Sequence, residues 1–155
     1  MARQLRTTFK KAEDSVGFML WKASNLLQRL HAECLRNLDI TPTQFSLMTC
    51  LVYLQDEGDV TASGIVAHTG MDKMMVSDLL KTLTRKRLVN KESHPRDARA
   101  SILRPTRRGK DITNAAVRKI EALDDDFFRR VGNVGAFHRA LIALVAGEAR
   151  DVNER

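Results

Sequence analysis

Cysteine is scarce in this chain: Cys34 and Cys50 are the only two, and both sit in helical apolar patterns. Their spacing suggests neither a disulfide framework nor a zinc site, so buried structural thiols in a reducing cytoplasm are expected. The four histidines, His31, His68, His94 and His138, are scattered and form no HExxH-type spacing, so no metal is expected. Eight glycines never gather into a phosphate-cradling loop, and no GxSxG nucleophile motif occurs. With no cofactor motif either, catalysis is not expected. The longest apolar run, around residues 45–54, is interrupted by Thr49 and too short to cross a bilayer. The N-terminus lacks a signal-peptide core. These absences predict a soluble, cytoplasmic protein with no membrane partner. Aromatics make up only 5% of the residues while Leu, Ala and Val are plentiful, which favours a mainly helical chain. At 155 residues it is expected to be one domain.

Acidic residues are sparse in one stretch. Residues 71–110 hold twelve Lys or Arg against four Asp or Glu, a net +8. The remainder holds fourteen against fifteen, a net −1, so the chain's overall +7 comes from that stretch. Such concentration points to a polyanion partner rather than a generally sticky surface. A membrane surface fits less well, because no basic helix carries a large aromatic face.

The same stretch has readable punctuation. Thr61 is a candidate N-cap for a short helix containing Ile65, Val66 and Ala67, and Gly70 can end it in a left-handed conformation. Asp72 can cap a second helix over about 73–86. Val76, Leu79, Leu80 and Leu83 recur there at helical spacing and form the inward face. Lys73, Met74, Ser77, Lys81 and Thr82 lie opposite, a polar and partly cationic face of the kind laid in a major groove. Two strand-like runs follow, at 88–92 and 101–104. Pro95 and Asp97 between them are turn formers, so a hairpin is predicted whose tip presents Arg96 and Arg99. Arginines on a narrow protrusion suit a minor groove.

At this point the chain resembles the multiple-antibiotic-resistance regulator (MarR) family of winged-helix transcription factors. The wing pattern rests on Asp97-Ala98-Arg99, Leu103, Thr106 and Gly109. The helix-turn-helix pattern rests on Gly70-Met71-Asp72-Lys73, Val76, Ser77, Leu83 and Leu88-Val89. The layout extends over roughly residues 15–148. Two positions depart from the pattern. Asp78 stands where many members have an Arg on the recognition helix, either to read a cytosine amine or to pair with Lys81 or Lys73. Arg87 stands where a Gly usually ends that helix.

Around this lobe the chain reads as helices. Residues 1–14 form a polar, basic arm, and Ser15 can cap a helix to about residue 37. That helix is apolar on more than one side, Phe18 and Trp21 included, which suits burial against a second subunit. Thr41, Pro42 and Gln44 form a capping-box start for a helix to about residue 55. By resemblance, Val60 adds a short strand to the hairpin. Thr106 can cap a long helix tracked by Ile112, Ala116, Ile120, Leu123, Phe127 and Val131. Gly132 and Gly135 are expected to break it before a last helix over about 136–148.

The predicted fold class is therefore mainly α with a small β-hairpin wing. The winged helix-turn-helix lobe occupies residues 41–109, and helices over 15–40 and 110–150 form a dimerisation region. The expected function is a homodimeric, sequence-specific regulator of double-stranded DNA at a pseudo-palindromic operator. Lys73, Met74, Ser77 and Lys81 would face base edges, Arg96 and Arg99 would enter the minor groove, and Thr61 and Ser63 would hold phosphates. Asp97 is expected to brace the wing. The resemblance further implies repression relieved by a small aromatic or phenolic effector, for which Phe18, Trp21, His31 and Phe45 are candidate contacts. It offers no match for a peroxide-sensing cysteine, since Cys34 lies near the far end of the first helix. The alternative is a winged-helix protein-interaction module without specific DNA binding.

Overall fold

Side-chain caps decide where the helices begin. The computed structural model describes residues 6–97 and 99–151, with side chains described up to residue 146. Lys11 N–H donates to the Asp14 carboxylate, closing a 3-10 turn at Ala12–Asp14 ahead of the first helix. Ser15 accepts the Phe18 amide at 3.2 Å and opens α1, Val16–Leu35, which tightens into a 3-10 turn at Arg36–Leu38. Thr41 and Gln44 exchange reciprocal bonds of 3.2 and 3.3 Å, and Pro42 starts α2, Pro42–Leu54. A proline fits there because its missing N–H would have had no intrahelical partner. The short helix α3, Ala62–Thr69, and the longer helix α4, Lys73–Arg85, follow as the pattern predicts. Next come β1, Val89–Ser93, and β2, Ser101–Pro105, an antiparallel pair in register Val89↔Pro105 to Ser93↔Ser101. Val60 bridges Leu103 as an outer third segment, with the Leu103 amide 2.8 Å from the Val60 carbonyl.

The chain divides into two compact units, residues 1–120 and 121–155. In the first, Leu47, Leu51, Ile65, Val76, Leu83 and Leu103 are all buried in one core, to which α2, α3, α4 and β2 each contribute. The predicted inward face of α4 is the observed one, with Leu79 half-buried beside it. Helix α5, Arg107–Phe128, starts under Thr106, whose hydroxyl accepts the Gly109 amide at 2.9 Å. In the second unit, Phe128 meets Phe127 edge-on at 5.1 Å and Phe137 at 6.1 Å.

The expected break near the C-terminus is displaced. Helix α5 stops at Phe128, before Val131, and α6 spans Val134–Asp151, with Gly135 inside it. Asn133 explains this: its side-chain oxygen accepts the Ala136 amide at 2.9 Å and caps α6 two residues early. A glycine in the first turn interrupts no intrahelical bond to its own amide. The thiols also separate. Cys50 is buried, and desolvation raises its pKa, whereas Cys34 is only half-buried.

Arg87 ends α4 in a left-handed conformation, φ 58°. The Leu88 amide bonds the Leu83 carbonyl at 2.9 Å and the Arg87 amide bonds that of Thr84 at 3.0 Å. These are the two bonds of a Schellman cap, whose left-handed position favours glycine. Arg87→Gly is therefore expected to stabilise the fold by about 0.5–1 kcal/mol, since relieved backbone strain exceeds the added chain entropy. Urea unfolding checks it; an unchanged or lower midpoint would refute the strain.

Candidate nucleic-acid interface

The helix-turn-helix is built by three polar side chains and one glycine. Thr61 accepts the Gly64 amide at 3.2 Å, starting α3. Gly70, at φ 67°, ends it. Thr69 holds the turn, donating to the Ile65 carbonyl at 2.7 Å and accepting the Met71 amide at 3.2 Å. Asp72 then accepts the amides of Met74 and Met75 at 2.8 and 3.1 Å, opening α4. Burial of Val76, Leu80 and Leu83 fixes the rotation of α4 about its own axis. Lys73, Met74 and Lys81 are consequently exposed, and Ser77 is half-buried at the edge.

Asp78 pairs with Lys81 at 2.9 Å, one turn along the exposed face. Of the roles open to it, the structure displays pairing with Lys81. The wing is braced at its tip and its base. At the tip, the Asp97 carboxylate accepts the Arg99 amide at 2.9 Å, and Arg96 N–H donates to His94 Nδ1 at 3.2 Å. At the base, Arg104 reaches Asp59 at 2.8 Å and Glu92 at 3.4 Å. Hydrogen bonds to Glu92 and then Asp59 raise its pKa above the usual arginine value, so it stays charged. Both braces leave the Arg96 and Arg99 side chains exposed.

Between α3, α4 and the wing lies a cleft of about 570 Å³. Thr61, Ser63, Lys73, Ser77 and Arg99, five of the eight candidate DNA contacts, line it together. Met74 and Lys81 project from the outer row of α4, and Arg96 sits at the wing tip. The Thr61 hydroxyl is used as an acceptor by its cap but keeps its own proton to donate. Lys91 also lines the cleft and is absent from the sequence-derived set. A signal for it exists: Lys91 lies two residues after buried Val89, hence on the same strand face, turned toward α3 and α4. Among the described residues, Lys73, Lys91, Arg96 and Arg99 have no acidic partner, whereas Lys86 is held by Asp39 at 3.2 Å.

The candidate effector contacts are not gathered in the same way. Phe18 and Trp21 stack at 5.8 Å on α1. Phe18 also borders a cleft with Thr7, Phe9 and Lys11. His31 lies ten residues beyond Trp21, about 15 Å along the helix by its rise. Phe45 packs, half-buried, against the core. Among the described residues no cluster of metal-ligating side chains occurs, and no helix is long and apolar enough to cross a membrane.

Comparison with known proteins places this geometry. Residues 38–100 match the MarR family model. An uncharacterized HTH-type transcriptional regulator of Bacillus subtilis (strain 168), YdcH, is 32% identical over 121 residues, covering 77% of this chain and 82% of its own. The transcriptional regulator MosR of M. tuberculosis, solved in complex with DNA, superposes with a TM-score of 0.75 at 23% identity, over 87% of this chain and 97% of that one. BpsR of Bordetella bronchiseptica, whose DNA binding is regulated by 6-hydroxynicotinic acid, gives 0.75 at 20% identity, over 92% and 98%. At those identities the two structures speak to the fold, a winged helix, and the relatives are regulators rather than enzymes. A family match through the helix-turn-helix and a relative alike over most of both lengths carry the assignment further: the chain belongs to the MarR family of transcriptional regulators.

Proposed function

We propose that the protein is a cytoplasmic, homodimeric repressor that binds a pseudo-palindromic double-stranded operator and is released by a small aromatic or phenolic effector. The observation that carries this reading is the cleft where Thr61, Ser63, Lys73, Ser77, Lys91 and Arg99 meet, with its lysines and arginine unpaired by acids among the described residues. Lys73, Met74, Ser77 and Lys81 face base edges, Arg96 and Arg99 enter the minor groove, and Thr61, Ser63 and Lys91 hold phosphates. The structure of MosR with DNA supports the polyanion partner.

Pairing is supported by what the terminal helices leave uncovered. Val16, Met19, Leu20 and Trp21 on α1, and Val134, Ile142, Leu144 and Val145 on α6, are all exposed. A second copy would cover both sets, making residues 15–40 and 110–150 the dimerisation region and 41–109 the DNA-binding lobe. Two recognition helices then sit about 34 Å apart, one turn of the duplex. For the effector, the BpsR ligand is a small aromatic anion of the expected class. Phe18 and Trp21, stacked and exposed, are its best-placed contacts, with His31 and Phe45 completing a site only if the partner's surface closes over them.

The test is gel-shift titration of a duplex selected from a random pool, with wild type and Arg99→Ala. Loss of one charge-assisted contact per subunit should weaken binding about tenfold or more. Unchanged affinity at moderate salt would remove the wing from the mechanism. Failure of wild type to enrich any duplex would favour a protein-interaction module instead.

A further inference from the structure

We infer that Met74 is a specificity-determining residue that recognises the C5-methyl group of a pyrimidine in the major groove; this rests on the DNA-binding reading above. Most of the large exposed hydrophobic side chains lie on the terminal segments, up to Trp21 and from Val134 onward, where a second subunit offers cover. Between residues 41 and 109 the described ones are Tyr53, Met74 and Met75. Met74, at 69% exposure, is the barest of the three. It stands on the exposed cationic face of α4, next to Lys73.

Its setting specifies what it can read. Met74, Asp78 and Lys81 occupy positions i, i+4 and i+7 of α4, one row along the outer face. Asp78 and Lys81 satisfy each other at 2.9 Å, which leaves the first position of the row apolar. The Asp72 cap fixes the backbone of that first turn through the Met74 amide. The recognition-helix N-terminus is the end that approaches base edges in helix-turn-helix proteins. A thioether is a poor hydrogen-bond partner, so it cannot tell donors from acceptors on a base. The apolar group on the major-groove edge is the pyrimidine C5-methyl, carried by thymine and by 5-methylcytosine. A flexible, polarisable thioether can pack against it while Lys73 alongside brings positive charge into the same groove.

The experiment starts from the duplex that wild-type protein enriches from a random pool. Each pyrimidine in a half-site is then made in turn as thymine or uracil opposite adenine, and as 5-methylcytosine or cytosine opposite guanine. Removing the methyl at the contacted position should weaken wild type about fourfold per half-site, the loss for one buried methyl. Met74→Ala should bind thymine and uracil duplexes equally, while Met75→Ala keeps the preference. A preference on the adenine-paired background identifies thymine as the source of the methyl, and one confined to the guanine-paired background identifies 5-methylcytosine. The inference is overturned if no position is methyl-sensitive, or if the preference survives Met74→Ala. Absence of any enriched duplex would instead overturn the DNA-binding reading itself. Met74 is exposed, so matched melting curves for the variants separate lost recognition from lost folding.

Discussion

Raising salt from 50 to 200 mM should weaken operator binding by about 10³–10⁵-fold. Cations without an acidic partner are the ones free to displace counterions from the duplex. Three cations near the DNA-binding face are already spoken for: Lys81 by Asp78, Lys86 by Asp39, and Arg104 by Asp59 and Glu92. Lys73, Lys91, Arg96 and Arg99 are exposed and have no acidic partner among the described residues. The proposed dimer doubles these four. Each cation held against the duplex, in a groove or along the backbone, displaces condensed counterion and contributes about −0.9 to the slope of log affinity against log salt, so a slope near −7 is expected. Fluorescence anisotropy across a salt series measures it directly. A slope shallower than about −3 would mean that the cationic cleft does not follow the backbone. Lys91→Ala should flatten the slope by about 2 in the dimer, one unit per subunit, with little change in sequence preference.

Much of this architecture is legible in the sequence because its determinants are local. Ser15, Thr41 with Gln44, Thr61, Asp72 and Thr106 all cap the helices that the sequence pattern places after them. Each bonds an amide two or three residues away, so the signal lies within one turn of chain. The hairpin was likewise announced by Pro95 and Asp97, and its strands differ from expectation by a residue at their ends. What escaped is either distant or ambiguous. Lys86 pairs with Asp39 across 47 positions and Arg104 with Asp59 across 45, and no periodicity connects such residues. Asn133 is a good cap, but the glycines beside it are stronger-looking breakers, and capping prevailed. Lys91 was visible as a charge, while its position over the cleft depends on the strand face set by Val89. The proposed effector contacts remain unassembled for a related reason: Phe18, Trp21, His31 and Phe45 are spread over two helices.

Gly109→Ala should destabilise the fold by roughly 3 kcal/mol or more, a loss at the top of the range for overpacking. Glycine is required here by closeness rather than by φ. A methyl at this position would lie 2.2 Å from the Leu88 carbonyl oxygen, 3.1 Å from its carbon and 3.0 Å from Met48 Cε. The methionine end can swing aside, but the carbonyl cannot: it already accepts the Thr106 amide at 2.9 Å. Thr106 in turn donates its hydroxyl to the Arg87 carbonyl and accepts the Gly109 amide, each at 2.9 Å. Thr113 closes the group from below, donating to the Gly109 carbonyl at 2.7 Å. The Thr-x-x-Gly pattern therefore marks the point where α5 is bonded to the end of α4 and the root of the wing. Pushing α5 away breaks the bond to the carbonyl of buried Leu88 as well as packing, which is why the cost should exceed that of an added methyl alone. The melting temperature should fall by about 6–12 °C for a chain of this size. Gly132→Ala supplies the contrast, because nothing lies within 4 Å of the methyl it would add. That variant should stay within about 0.5 kcal/mol of wild type. If both variants melted alike, the close approach of α5 to Leu88 would be wrong, and with it the placement of the wing against the recognition helix.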